Sequence, residues 1–173
     1  MRLDGSTVLV TGGAGFIGSH LTRKLTDRGA SLVVVDDLFA GRREYVPNNA
    51  TFYEQDIRSD AFAETVRDEA PDAIVHLAAI HHIPYCNANP EEAFEVNTMG
   101  TRTLLEAAED VENLQQVVFA STAAVYEPGE RPHRETDEPG PIDIYGRTKL
   151  VSEDLLEKFS METGVRAASA RLF

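Results

Sequence analysis

The chain has 173 residues, 42% of them hydrophobic, a length and composition that fit one folded domain with a core of ordinary size. Its 29 acidic and 16 basic residues leave a formal charge of -13 with no Lys/Arg-rich block, which argues against nucleic acid and anionic membranes as partners. No apolar run reaches the roughly 18 residues of a membrane span, the start Met1-Arg2-Leu3-Asp4-Gly5 lacks a signal-peptide pattern, and the lone Cys86 allows no internal disulfide, so a cytoplasmic protein is expected.

In chain order, the first apolar run, Thr7 to Val10, leads into Thr11-Gly12-Gly13-Ala14-Gly15-Phe16-Ile17-Gly18. A helical pattern of Ile17, Leu21 and Leu25 follows and stops at Gly29. A strand-to-helix turn exposes unpaired N–H groups and the positive end of the helix dipole, a pocket for phosphate. Gly13-x-Gly15-x-x-Gly18 has the dinucleotide-binding spacing and Gly12-x-x-Gly15-x-x-Gly18 overlaps it; a tight turn alone is the competing reason for glycine. The second run, Ser31 to Val35, ends at Asp36, where a carboxylate accepts both hydroxyls of an NAD ribose and repels a 2′-phosphate. Asp37 comes next, and the bland alternative is that the two aspartates open a solvated loop. Arg42 and Arg43, in the same loop, are the residues that would tolerate NADP.

The third run, Thr51 to Glu54, precedes Asp56 and Ile57, a carboxylate for an adenine amino group beside an apolar residue for its ring, with helix capping as the competing role. The fourth, Ala73 to His76, continues into Leu77, Ala78 and Ala79, where backbone passes close to a ligand. Phe94, Thr101, Leu104, Leu105 and Ala108 mark a helix whose apolar face carries Asn97, a buried amide that needs partners. The fifth run, Gln116 to Ala120, opens into Ser121 and Thr122, one or the other of which is expected to face the nicotinamide crevice at the strand's carboxyl end. After a long loop, Glu127 to Pro141, Tyr145 and Lys149 stand four apart on one helical face, where an ammonium lowers a phenol's pKa from about 10 toward neutrality. The sixth run is Ala167 to Leu172. Strand and helix alternating in this way predict an α/β fold with a doubly wound parallel sheet, and several of the runs are apolar on consecutive residues, as strands buried on both faces must be.

Taken together, the glycine turn, the acidic strand end at Asp36, Asp56-Ile57, His76-Leu77-Ala78-Ala79, Asn97, Ser121-Thr122 and Tyr145 with Lys149 resemble the extended short-chain dehydrogenase/reductase family, in particular its nucleotide-sugar epimerases of the UDP-glucose 4-epimerase type. The resemblance covers almost the whole chain in order. It implies a Rossmann fold over residues 1–173 and NAD as cofactor, held by Gly12, Gly15, Phe16, Ile17, Gly18, Asp36, Asp37, Asp56, Ile57, Leu77, Ala78, Ala79, Asn97, Ser121, Tyr145 and Lys149. It further implies that Tyr145 is the acid/base for the sugar 4-hydroxyl, that Thr122 shares its proton network, and that Lys149 holds the nicotinamide ribose and tunes Tyr145. Hydride leaves C4 for NAD⁺ and returns to the other face of the 4-keto sugar. Ala123 and Ala124 stand where the dehydratase branch has Asp-Glu, which favours epimerisation of a UDP-hexose over loss of water.

Departures are Glu127, where the family often has glycine, and Asp37, where it usually has asparagine. His76, His81, His82 and Cys86 match no metal-ligand spacing, and no metal is expected. Family members pair as homodimers through helices corresponding to Glu91 to Glu109 and Tyr145 to Thr163. They also continue past the position of Phe173 into a smaller substrate domain. Without that domain the chain is expected to bind NAD but not to turn over a sugar by itself.

Overall fold

The computed structural model describes residues 2–129 and 131–173. Strands β1 (Thr7–Thr11), β2 (Ser31–Asp36), β3 (Thr51–Glu54), β4 (Ala73–His76), β5 (Gln116–Thr122) and β6 (Arg166–Leu172) form one sheet. The order is β3-β2-β1-β4-β5-β6, and every pairing is parallel. The chain winds outward from β1 to β3 and then restarts at β4 on the other side of β1. Loops after β1 and β4 therefore diverge, and this opens the crevice in which doubly wound sheets bind ligands.

Alternation along the strands sorts their side chains between two helical layers. Leu9, Val33, Val35, Ile74, Val117 and Phe119 point to one face and meet Phe62 and Val66 of α2 (Asp60–Glu69), Leu104 and Leu105 of α5 (Gly100–Ala108), and Leu156 and Phe159 of α6 (Ile144–Thr163). Val8, Val10, Leu32 and Ala73 point the other way, against Leu21 and Leu25 of α1 (Phe16–Thr26). Burial on both faces, expected of the several runs that are apolar on consecutive residues, holds for β1 and β2 but not for β5. There buried and half-buried residues alternate, because among the described residues no helix of the α1 layer covers that part of the sheet. The edge strand β6 is exposed at four of its seven residues.

Local signals set the ends. Ser59 caps α2 by accepting the Phe62 amide proton at 3.1 Å, and Asp143 caps α6 through the Gly146 amide at 2.7 Å. The helix expected around Asn97 is a composite of α4 (Pro90–Phe94), a π-turn over Glu95–Met99 and α5, and a further short helix, α3 (Ile83–Ala88), precedes it. Gly18 lies in the first turn of α1, and a β-carbon there would meet the Gly13 Cα at 2.6 Å as well as the Gly12 carbonyl. Both obstacles are backbone and cannot step aside. Gly18→Ala should therefore lower unfolding stability by about 2 kcal/mol or more, read from urea melts; a change under about 0.5 kcal/mol, the size of a surface substitution, would contradict this packing.

Candidate active site at the carboxyl ends of the strands

Gly12, at φ +68°, turns the chain out of β1, and a β-carbon on it would come within 2.7 Å of the Ala78 nitrogen. Gly15 is the N-cap of α1 and has no side chain to bond the first-turn amides, and no acidic residue stands in that turn. The amides of Phe16, Ile17 and Gly18 are thus left for an external anion, as pyrophosphate binding requires. Of the two overlapping glycine spacings the structure favours Gly12, Gly15 and Gly18, because Gly13 packs against the Val34 side chain on β2.

Asp36 is buried at the tip of β2. Its Oδ2 accepts the Ala14 amide at 2.9 Å and its Oδ1 the Leu38 amide at 2.9 Å, so the carboxylate braces the glycine turn and leaves a lone pair on each oxygen for a ribose hydroxyl. Burial raises its pKa, and the two amides pull it back. Asp37 instead folds the loop, accepting the Phe39 amide at 3.0 Å. Arg42 pairs with Glu44 and Arg43 stacks over Phe52 at 4.6 Å, so both guanidiniums have partners on their own side of the loop.

Asp56 is held bidentate by Arg58, which lowers its carboxyl pKa, and Ser59 rather than Asp56 caps the next helix. The Ile57 side chain is drawn into the core beneath Gly100, so it is not free to line a ring as expected. Leu77 and Ala78 donate their amide protons to the Thr11 hydroxyl at 3.2 Å each, which fixes the Leu77-Ala78-Ala79 segment against the glycine turn. Asn97 is fully engaged by protein: Oδ1 accepts the Ile80 amide at 2.8 Å, and Nδ2 donates to the Ile80 carbonyl at 2.9 Å and to Thr148 at 3.0 Å. It acts on the site by fixing Ile80.

Thr122 and Tyr145 meet across the crevice. Thr122 ends β5 with its Oγ1 accepting the Ala124 amide at 3.1 Å, and its hydroxyl lowers the Tyr145 pKa against a larger upward push from burial. Lys149 is 2% exposed with Nζ 4.4 Å from the Phe119 ring centre and 6.0 Å from that of Tyr145. The expected electrostatic lowering of Tyr145 by Lys149 is absent in the protein alone. Burial brings Lys149 down to about 7, and it also holds the Tyr145 phenol above its usual value.

Ser121, expected at the crevice, points the other way, because successive residues of a strand face opposite sides. It is buried and donates to Glu153, which also takes Arg171 from Nη2 at 2.6 Å and from Nε at 3.0 Å. Arg171 continues to the Tyr126 hydroxyl at 2.6 Å. The sequence reading missed this buried cluster of β5, α6 and β6, although Glu153, one turn beyond Lys149 on the same helix, was a visible signal. It also missed Gly146, whose β-carbon would strike the Ala124 carbonyl. Among the described residues no group of three or more His, Cys, Asp or Glu side chains is placed to hold a metal.

The depressed Lys149 has a measurable consequence. The unfolded side chain titrates near its ordinary value of 10.5 and the folded one at about 7, so the unfolded state binds more protons between these values and stability rises with pH through that window. With only three lysines, Lys24→Arg and Lys158→Arg assign the signals of ¹³C-labelled lysine. Lys149 should show an NMR midpoint at about 7; one above about 9.5, near the free value, would rule out this burial.

Comparison with known proteins identifies the family. Residues 8–173 match the model of the NAD dependent epimerase/dehydratase family. The chain is 42% identical over 168 residues to a UDP-glucose 4-epimerase of Azospirillum brasilense, covering 96% of this chain and 48% of the relative. It is 40% identical over 169 residues to that of Lacticaseibacillus casei, covering 96% of this chain and 51% of the relative. It therefore spans about half the length of these relatives. Among solved structures, the Thermus thermophilus UDP-glucose 4-epimerase complex with NAD superimposes with a TM-score of 0.90 at 35% identity, covering 95% of this chain and 54% of that one. The Brucella ovis enzyme in complex with NAD gives 0.90 at 37% identity, covering 98% of this chain and 52% of that one. With the parallel sheet, the glycine turn and the match all running through the same residues, the chain belongs to the NAD-dependent epimerase/dehydratase family.

Proposed function

We propose that residues 1–173 form the NAD-binding domain of a nucleotide-sugar epimerase, most like a UDP-glucose 4-epimerase, that inverts C4 of a UDP-hexose by transient oxidation. The observation that carries this reading is the facing of Thr122 and Tyr145 at the end of β5, with Lys149 one turn along α6 and the glycine turn across the crevice. NAD, when bound, supplies the hydride acceptor and returns the hydride. Gly12, Gly15 and Gly18 admit its pyrophosphate onto the α1 amides, and Asp36 takes the adenosine ribose. Asp37, Asp56, Leu77, Ala78 and Ala79 border the same crevice.

Tyr145 takes the proton of the sugar 4-hydroxyl and gives it back, with Thr122 as hydrogen-bond partner of both oxygens. A phenol above its ordinary pKa is a poor base, so its activation belongs to the loaded site, where Lys149 recovers a hydrogen-bonded, charged state on the cofactor ribose. Ala123 and Ala124 follow Thr122 in a 3₁₀ turn and bring no acid/base group, which supports epimerisation over dehydration. The outward side chains Phe94, Met99 and Val151, between 37% and 39% exposed, suit a two-fold pairing of the π-turn helix and α6 between copies.

Two measurements test the reading. By calorimetry the chain should bind NAD at least about tenfold more tightly than NADP, since a 2′-phosphate meets a like charge at Asp36, and Asp36→Ala should narrow the gap; equal affinities in the unmutated protein would refute the role of Asp36. In the full-length enzyme Tyr145→Phe should cut turnover by about 10²-fold or more with NAD affinity little changed, and near-normal turnover would remove Tyr145 from the chemistry.

A further inference from the structure

His76 is 1% exposed, and its ring bridges two hydroxyls: Thr11 Oγ1 at 2.6 Å from Nδ1, and Thr101 Oγ1 at 3.0 Å from Nε2. The position of its proton follows from its neighbours. Thr11 Oγ1 accepts the Ala78 amide proton and shares that of Leu77 with the Thr11 carbonyl, which takes it at 3.1 Å; the acceptor left for the hydroxyl's own proton is Nδ1. Thr101 donates its proton to the Asn97 carbonyl at 2.6 Å and so receives one from Nε2. Every donor then meets an acceptor only if the imidazole is neutral with hydrogen on Nε2. Phe119 stacks on the ring at 5.7 Å, and among the described residues the charge that acts on it is that of Lys149 on α6; burial and that charge hold the imidazole at about 3.

Beyond Thr101 the chain of bonds continues. The Asn97 carbonyl also takes the Ser152 hydroxyl at 3.0 Å, the Asn97 amide reaches Thr148, and Thr148 donates to the Tyr145 carbonyl at 2.7 Å. We propose that His76 is a positioning residue: a neutral, Nε2-protonated imidazole that joins the phosphate-binding turn to the helix bearing Tyr145 and Lys149, through Thr11 on one side and Thr101, Asn97 and Thr148 on the other. This role rests on the proposal that the glycine turn and that helix hold one dinucleotide. In return, the ring makes the geometry at Leu77 and Ala78 depend on where the catalytic helix sits, because a directed hydrogen bond fixes orientation as well as distance.

The test uses the chain as it stands. In ¹⁵N-histidine spectra with long-range ring correlations, and with His76→Gln for assignment alone, the His76 signals should show the neutral Nε2–H form and stay unchanged from about pH 8 to pH 5, below the ordinary histidine pKa. A Nδ1–H form, or titration in that range, overturns the proposal whether or not NAD binds. Because loss of the buried His76 ring endangers folding, the affinity arm uses Thr101, which touches the site only through its neighbours. Thr101→Val, which removes the acceptor for Nε2–H, should weaken NAD binding by about fivefold, the equivalent of one hydrogen bond, while Thr101→Ser stays within about twofold. A lowered melting temperature with unchanged NAD affinity in Thr101→Val would reduce the network to a structural one and overturn the positioning role. Failure of the unmutated chain to bind NAD would instead sink the dinucleotide site, leaving the tautomer to be decided by the spectra.

Discussion

Gly12 turns away from β1 so close to Ala78 that a β-carbon would lie 2.7 Å from the amide nitrogen, and the arrangement of the crevice follows from that contact. Only a glycine in the left-handed region allows the β1 exit to lie flat against the β4 exit. The Thr11 hydroxyl then reaches two amides of the Leu77-Ala78 segment, and Gly18 can approach the turn closely enough for α1 to start with its amides bare. The same restart of winding at β4 puts β5 and α6 on the far side of the crevice, which is where Thr122 and Tyr145 face one another.

Burial governs the chemistry on that far side. A phenol and an ammonium four residues apart on an exposed helix would help each other to ionise. Here both are taken out of water, and desolvation opposes charge on each. The protein meets the cost of buried charge elsewhere by pairing: Glu153, one turn beyond Lys149, is satisfied by Ser121 and Arg171 and raises the Lys149 pKa against its burial. Such a pair is weak as a source of net stability but costly to break on one side. It joins the strand of Thr122 to the helix of Lys149 and to β6. Burial of this kind biases Tyr145 and Lys149 toward their uncharged forms.

Much of this was legible in the sequence. Consecutive β-branched residues marked β1 and β2, and the glycine spacing, the aspartate at the tip of β2 and the Tyr145–Lys149 interval marked the strand-to-helix turn, the strand end and the helix face proposed above as one site, because each rests on a local requirement: a positive φ, a bare helix start, or one face of a helix. Single-sequence pattern does not reveal which side of a strand is covered. The half-open face of β5 and the exposed β6 were therefore not foreseen, and Ser121 was expected in the crevice when strand alternation sends it to Glu153.

What the sequence determined by itself was the type and order of the elements and the chemistry available at their ends, since these depend on neighbours within a few residues. Only the tertiary structure decided which polar groups were already spent. Asn97 is used up on Ile80 and Thr148, Ile57 on the core, and the proton of His76 is directed to Thr101 by bonds to residues 25 and 65 positions away. Hydrogen-bond capacity is finite, so a side chain's availability to a ligand is set by partners that fold up against it from distant parts of the chain.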